Sequence, residues 1–462
     1  MQGRSASEMA KLAHATGGNI LLTPPPINEP HVGERSGSDA PASVTQKTAS
    51  DTQKTADAAP AAGADEPCAA MQQVVELDSL TVYDVVDNET DGLSAPCVCC
   101  ANPSSGITYS SEFPRIVGRK KALDFDAVTS AAHGLSLLLV GEKDGQTRCC
   151  LLDAGPNAPT FATNATKMEL DLSAVEHFVL SHYHIDHSGG MRTAVPMVSE
   201  ARKAAGLPPL VVDLHPDCPE AVGFSTPDGS VRRMAPENPS FAEVEAMGGS
   251  VIASKEPRAV CDGYFFVSGE IPRHTDYETG IPNQVRRLPG EPPGEWTKDP
   301  LVANERYVAA KVKGAGMVVF SSCSHAGIVN VCRDAQAKSG GASLFGIMGG
   351  LHLAGRKDGD ADVASTVADL AALNPSVIFA GHCTGWRAKM ALAAALPGRL
   401  QPAVVGGTYR FAAPPCQPAT ECPDAPLGLA KTTASGVMSF INSTFKTKVE
   451  YEAWLSTQGS AA

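Results

Sequence analysis

From about residue 73 onward, apolar residues gather into short runs separated by turn residues. VVELDSLTVYDVVDN opens this region, and its β-branched and aromatic content predicts a strand ending at Asp87 and Asn88. LSLLLVGEKDGQTRCCLLDAG, residues 135 to 155, predicts two apolar strands joined by a tight turn at Asp144-Gly145. A helical stretch is expected near 163 to 176, then the strand HFVLS at 177 to 181. In the second half, residues 307 to 327 (YVAAKVKGAGMVVFSSCSHAG) read as another hairpin, and LFGIMGGLHL (344 to 353) as a further strand. A helix around 364 to 373 leads to the strand in VIFAGHCTG (377 to 385), with WRAKMALAAAL as a helix after it. Two β-rich halves with helices outside predict an α/β protein, a four-layer αββα sandwich.

The pattern also sets the expected boundaries. Residues 1 to 72 are rich in Ala, Pro, Ser, Thr and Gly and contain the duplicated heptapeptide TQKTASD/TQKTADA. Few large apolar groups are available to offset chain entropy, so this segment is expected to be a disordered low-complexity extension. The repeat carries no apolar residue larger than Ala and thus no coiled-coil seam. A catalytic domain is expected over 73 to 413. Within it, residues 191 to 300 exceed a simple connection and are expected to form an inserted cap region, with strand and helix signals in PLVVDL and FAEVEAMGG. The segment 414 to 462 is a C-terminal tail with no clear order signal.

Composition narrows the function. At 43% hydrophobic residues over 462 positions, the chain can bury a large core. A net charge of −13 with no dense Lys/Arg run argues against nucleic acid as a partner. A small substrate remains compatible, even a phosphorylated one, because a local metal charge can outweigh the overall field. Thirteen scattered cysteines do not form a disulfide framework, and PCVCC at 96 to 100 lacks a second pair to complete a metal site. With no secretory signal pattern and no run of the ~18 apolar residues that a membrane span needs, a soluble, cytoplasmic protein without membrane contact is expected.

The candidate chemistry lies at predicted strand ends. LSHYHIDHSGG, residues 180 to 190, places His182, His184, Asp186 and His187 directly after an apolar run. In extended chain, positions i and i+2 share a face, so His182 and His184 can meet one ion while Asp186 and His187 address a second nearby. Imidazole and carboxylate donors suit zinc and other first-row divalent ions. His325, His352 and His382 each follow a later strand. Cys323 and Cys383, near His325 and His382, are expected to be small buried packing residues pointing away from the ligand face. Asn88 and Arg273 are candidates for binding a substrate carboxylate or phosphate. Asp153 is expected to fix loop architecture behind the metals.

The motifs HGLSLLL, LLDAG, SHYHIDHSGG, GEIPR, CSHAGIVN, GGLHL and GHCTG occur in that order between residues 133 and 385. Together they resemble the metallo-β-lactamase superfamily, in the branch of the 7,8-dihydropterin-6-methyl-4-(β-D-ribofuranosyl)aminobenzene 5′-phosphate synthases, over roughly residues 76 to 412. The resemblance implies the superfamily's sandwich and a first ion on His182, His184 and His325. It places a second ion on Asp186, His187 and His382, and brings His133 forward as a pocket residue. The superfamily usually supplies a bridging acid between the last two ligand histidines, where this chain has His352. That residue is therefore a ligand, a general acid beside the metal, or a pocket residue over a site with one tight ion. Asp358, Asp360 and Asp362, in the polar stretch just after it, are expected to stay clear of the metal. His184 stands where the di-iron branch tends to place Glu, which favours zinc, one or two ions per chain, over manganese or iron.

Three functions are compatible with this reading. The first is a hydrolase that uses a metal-bound hydroxide on an ester, thioester, amide or phosphoester of a small molecule, with Asp186 orienting the nucleophile and His352 stabilising the oxyanion. The second, which the resemblance implies, is a transferase that couples a pterin diphosphate to an aminobenzene ribotide with release of pyrophosphate. The third is a non-catalytic metal sensor, disfavoured by the intact ligand set.

Overall fold

The computed structural model describes residues 66–91, 105–111 and 124–413, apart from 293 and 355–358. The expected extension up to residue 65, PCVCC, Asp358 and the tail from 414 lie outside the described residues.

Strong apolar runs became strands buried on both faces. In Ser136–Lys143, Leu137 and Leu139 point one way and Leu138 the other, and all three are buried. Such a strand needs a cover on each side, which a single sheet with helices on one face cannot give. Two eight-stranded sheets provide the covers. The first runs, edge to edge, Gly249–Ala253, Leu210–Leu214, Val175–Val179, Gln146–Leu152, Ser136–Lys143, Ser79–Val86, Thr408–Ala412 and Ile107–Ser110. The second runs Arg258–Val260, Phe265–Val267, Val308–Val312, Gly316–Ser321, Leu344–Gly350, Val377–Gly381 and Leu400–Gln401, with Glu76–Leu77 pairing beside Val308–Val312. Their inner faces form one core that includes Leu80, Leu137, Leu139 and Phe411 from the first sheet and Val318, Phe320, Met348 and Phe379 from the second.

Helices close the outer faces. Phe161 of Ala158–Lys167 and Val195 and Val198 of Met191–Ala204 pack on Leu138, Leu151 and Phe178 of the first sheet. Val331 and Ala335 of Ile328–Lys338, Leu370 of Gly359–Leu373 and Leu392 of Trp386–Ala395 pack on Val319, Ile347 and Ile378 of the second. The order helix, sheet, sheet, helix is the expected αββα sandwich. Among the described residues no helix is long and apolar enough to cross a membrane.

The hairpin turn at Asp144-Gly145 forms as expected, both residues having φ near +50° to +73° as a two-residue hairpin turn requires. Three boundaries differ. Residues 66–72, assigned to the extension, are part of the body: helix Ala69–Gln72 buries Met71 in the outer core of the second sheet, a single apolar anchor too weak to register in the pattern. The helix expected near 163–176 is Ala158–Lys167, started by the Asn157 side chain accepting from the Thr160 N–H. The cap is narrower than 191–300. Met191–Ala204, Leu210–Leu214 and Gly249–Ala253 belong to the first sheet's outer layer and edge, and Arg258–Val260 and Phe265–Val267 to the second sheet. What remains is a small sheet of Thr297–Lys298, Gln284–Arg287, Ala221–Ser225 and Val231–Arg233. PLVVDL is apolar because it is an interior parallel strand, and proximity in sequence to the insertion obscured that role.

Candidate metal centre

Parallel neighbours end side by side, so the loops that leave them are gathered along one edge of the sheet. Gly316–Ser321, Leu344–Gly350 and Val377–Gly381 are parallel, with Ser321 opposite Gly349 and Gly350 opposite Gly381. The chain therefore presents Cys323 and His325, then His352, then His382 at adjacent points. From the first sheet, parallel strands Gln146–Leu152 and Val175–Val179 deliver Asp153 beside Ser181 and the HxHxDH run. Asp186 and His187 sit on the short helix Ile185–Ser188. The nearby Gly190 explains the SGG signature: a Cβ there would lie 2.0 Å from the Ala154 carbonyl oxygen, so only glycine lets these backbones meet. Ser324, His352 and His382 have left-handed φ of 62°, 46° and 44°, a strained conformation that non-glycine residues hold where the surroundings fix them.

The hydrogen bonds around the histidines determine which ring nitrogen is free. His187 Nδ1 donates to Asp153 Oδ2 at 2.8 Å, leaving the Nε2 lone pair for the centre. The same carboxylate accepts from the Ser181 N–H at 2.7 Å and from Ser181 Oγ at 2.8 Å. With its proton so engaged, Ser181 Oγ accepts from His182 Nδ1 at 2.9 Å, which frees His182 Nε2. Gln284 Nε2 donates to Asp299 at 3.2 Å, so its oxygen faces His184 Nε2 at 2.7 Å and receives that proton, freeing Nδ1. Asn88 Oδ1 accepts from the Gly134 N–H at 3.1 Å and from His382 Nδ1 at 3.0 Å, freeing His382 Nε2. Its amide nitrogen then donates to His133 Nδ1 at 2.9 Å. Each relay fixes one tautomer, as the outer partners of metal-bound histidines do.

The freed atoms converge. His325 Nε2 lies 3.1 Å from His182 Nε2 and 3.1 Å from His184 Nδ1. The His182 and His184 nitrogens have no proton to share, and a single proton on His325 Nε2 could serve only one of them well, whereas a cation between the three would satisfy all. Burial, then the neighbouring imidazoles, pushes His182 and His325 well below the ordinary histidine range, and chiefly burial takes His184 down to about 4. These rings are thus neutral donors at pH 7, as metal coordination requires. The second group is Asp186, His187 and His382, with Asp186 Oδ2 at 3.5 Å from His187 Nε2 and 3.3 Å from His382 Nε2. Burial disfavours charge on His187, yet Asp186 and Asp153 raise it to about 9. The carboxylates demand a positive charge at that point, which a metal ion can supply in place of the proton. Both donor sets therefore fit divalent ions.

All six histidine and aspartate ligand candidates are brought to one centre, and of these His184, Asp186, His325 and His382 line a cavity of about 780 Å³. Asn88, His133 and His352 line the same cavity; His133 Nε2 is 3.5 Å from Asp186, and the His352 ring packs edge-on against His325 at 4.3 Å between centroids. Arg273 is not brought there. One of its guanidinium nitrogens donates to the His325 carbonyl at 3.0 Å and another to the Leu301 carbonyl, so it braces the His325 loop from outside. Its conspicuous place in GEIPR signalled structure, not substrate. Asp153 stands behind the metal ligands, as its place in LLDAG implies.

The cysteine expectation fails in direction for both: Cys383 is buried, yet it lines the cavity with its Sγ 3.5 Å from Cys323 Sγ. Cys323 does not point away: its Sγ lies 3.1 Å from His187 Nε2 and 3.2 Å from His382 Nε2. It stands two positions before His325, so alternation puts both on one side, and the turn at Ser324 keeps them there. Ser181, Gln284, Asp299 and the cavity wall Phe224, Met234, Ile281 and Trp386 were not read from sequence. The one usable signal was Trp386, an aromatic residue opening a helix directly after a ligand histidine.

No protein-family model matches the chain. It is 26% identical over 266 residues to the 7,8-dihydropterin-6-methyl-4-(β-D-ribofuranosyl)-aminobenzene-5′-phosphate synthase of Methanocaldococcus jannaschii, an alignment covering 56% of this chain and 82% of the relative. Solved structures that align with it include a metal-dependent hydrolase of the β-lactamase superfamily, at 19% identity and TM-score 0.48 over 71% of this chain and 98% of the other. A metallo-β-lactamase fold protein from Bacillus subtilis aligns at 10% identity and TM-score 0.37 over 72% of this chain and all of the other. By fold the chain is an αββα sandwich with its candidate donors at strand ends. In sequence it is similar to the Methanocaldococcus jannaschii synthase.

Proposed function

We propose that the protein is a metal-dependent hydrolase of small molecules, with its reaction centre lining the 780 Å³ cavity. The observation that carries this reading is the convergence of ring nitrogens from His182, His184 and His325 beside Asp186, His187 and His382. Zinc is the proposed metal; when bound, such ions supply Lewis acidity and favour a deprotonated water near neutral pH. Asp186, facing the cavity between His187, His382 and His133, holds and orients the proton of the attacking water. His352, on the cavity wall beside His325, is placed to donate to the oxygen that gains charge in an ester, thioester, amide or phosphoester. Asn88 keeps His382 and His133 in their tautomers, and His133 offers Nε2–H to substrate or to Asp186. Phe224, Met234, Ile281 and Trp386 hold the apolar part of the substrate.

The test is turnover of a panel of esters, thioesters and phosphoesters by zinc-loaded protein, with at least a roughly hundredfold loss in His182→Ala and Asp186→Ala and after chelation. Unchanged turnover in these variants would overturn the assignment. A second reading is favoured by the similarity to the Methanocaldococcus jannaschii synthase along 82% of that protein. In it the same centre holds a diphosphate leaving group, and pyrophosphate appears only when a pterin diphosphate and an aminobenzene ribotide are both present.

A further inference from the structure

We propose that Cys323 is a thiolate ligand shared by the two metal positions, occupying the role that an acidic residue would otherwise fill between them. The inference rests on the metal-binding part of the functional reading, not on the reaction. Cys323 Sγ is the atom common to both donor groups: with Asp186, His187 and His382 it forms one set whose ligand atoms lie within 4.8 Å of one another, and with His182 and His325 a second. Its distances to His187 Nε2 and His382 Nε2, 3.1 and 3.2 Å, match those between the histidine donors themselves. The Nδ1 atoms of both rings are committed to Asp153 and Asn88, so Nε2 of each is the atom turned toward the sulfur. Sγ therefore stands at donor-to-donor distance from both, where one ion could be held by all three.

His352 does not fill this position. It groups with Cys323 and Cys383, away from the Asp186 set. Its ring faces the cavity, and its Nδ1 is a buried atom with no hydrogen-bond partner among the described residues. The acid missing at GGLHL is thus replaced from a different strand end, by the cysteine of CSHAG. On metal binding the thiol proton leaves to solvent and a sulfur–metal bond forms at each ion, with no redox change. Cys383 Sγ, 3.5 Å from Cys323 Sγ, stays outside both sets that contain ligand histidines.

The test uses cobalt(II) as the probe, titrated into the full chain freed of metal. Wild type and Cys383→Ser should show a thiolate-to-cobalt charge-transfer band in the near ultraviolet. Cys323→Ser should lose it and retain one cobalt fewer per chain by elemental analysis. X-ray absorption of the zinc-loaded wild type should show sulfur among the nearest neighbours of the metal, a result that needs no variant to fold. A band that survives in Cys323→Ser, a band lost only in Cys383→Ser, or a purely nitrogen and oxygen shell in wild type would overturn the proposal. Cobalt bound without the band sinks it alone, whereas no cobalt bound at all sinks it together with the metal reading. Catalytic turnover enters none of these outcomes, so a failed hydrolase assignment would leave them intact.

Discussion

Asp153 accepts three hydrogen bonds, from the Ser181 N–H, Ser181 Oγ and His187 Nδ1, and through Ser181 it also sets His182. One carboxylate behind the centre therefore orients a histidine of each proposed ion site. Asp153→Asn would place an NH₂ where one of these donors now points, forcing His187 to expose a proton toward the centre. A loss of zinc affinity of roughly tenfold to a hundredfold is expected, the usual scale for outer partners of metal ligands, measured by competition with a chromophoric chelator. Gln284→Leu should weaken the first position selectively, because among the ligand histidines its side chain touches only His184. Trp386 is 66% exposed and lines the cavity wall. Trp386→Ala is expected to raise KM several-fold with kcat little changed, read from steady-state kinetics on whichever substrate the panel yields.

Element by element, the chain's own pattern was most legible where burial is simplest. LSLLLVGEKDGQTRCCLLDAG announced both strands and their turn because each residue type there serves one purpose. His182, His184, His325 and His382 were legible as a set because imidazoles at strand ends have little structural use in such density. Cys323 was obscured for the converse reason, since a small apolar side chain suits a core as well as an ion, and only the turn at Ser324 decides between them. Gln284 and Asp299 come from the cap, about 100 residues from the histidine they orient, and no local pattern announces such a contact. Glycines at the strand ends carry a separate constraint. Gly349 has φ +126°, and a Cβ on it would lie 2.0 Å from the Ser321 carbonyl oxygen. Gly349→Ala is expected to cost about 3 kcal/mol or more and to disturb both strand ends that lead to Cys323 and His352, measured as a lowered urea midpoint together with weaker metal retention.

At the scale of the molecule, a buried ion network ties the first sheet to the chain entering the second. Asp213 is fully buried and accepts from Arg306 Nη1 at 2.6 Å and from the Arg258 guanidinium, with His177 Nε2 at 3.4 Å. Burial alone would raise the Asp213 carboxyl, but His177, Arg306 and Arg258 outweigh it and hold the group well below the usual carboxylate range. The folded pKa is depressed, so its stabilisation is complete above the unfolded value near about 4 and is lost as pH falls through the lower folded value. Arg306→Met leaves a buried carboxylate short of a partner and is expected to cost about 3–5 kcal/mol. In Arg306→Met the acid-unfolding midpoint should move to higher pH, because the folded Asp213 pKa rises toward the unfolded one. Denaturant titrations between about pH 3 and 7 measure both effects.

The first sheet sets one further condition, in time. Strand Ser79–Val86 sits between Ser136–Lys143, made soon after it, and Thr408–Ala412, with Val82 opposite Tyr409 about 330 residues later. During synthesis at about 5–20 residues per second, one edge of a strongly apolar strand waits roughly 15 to 60 s for its partner to leave the ribosome. His382, the last of the proposed histidine ligands to be made, arrives only shortly before that partner. Until then the nascent chain holds an open β-edge and an incomplete centre together, an aggregation-prone state that a chaperone would shield.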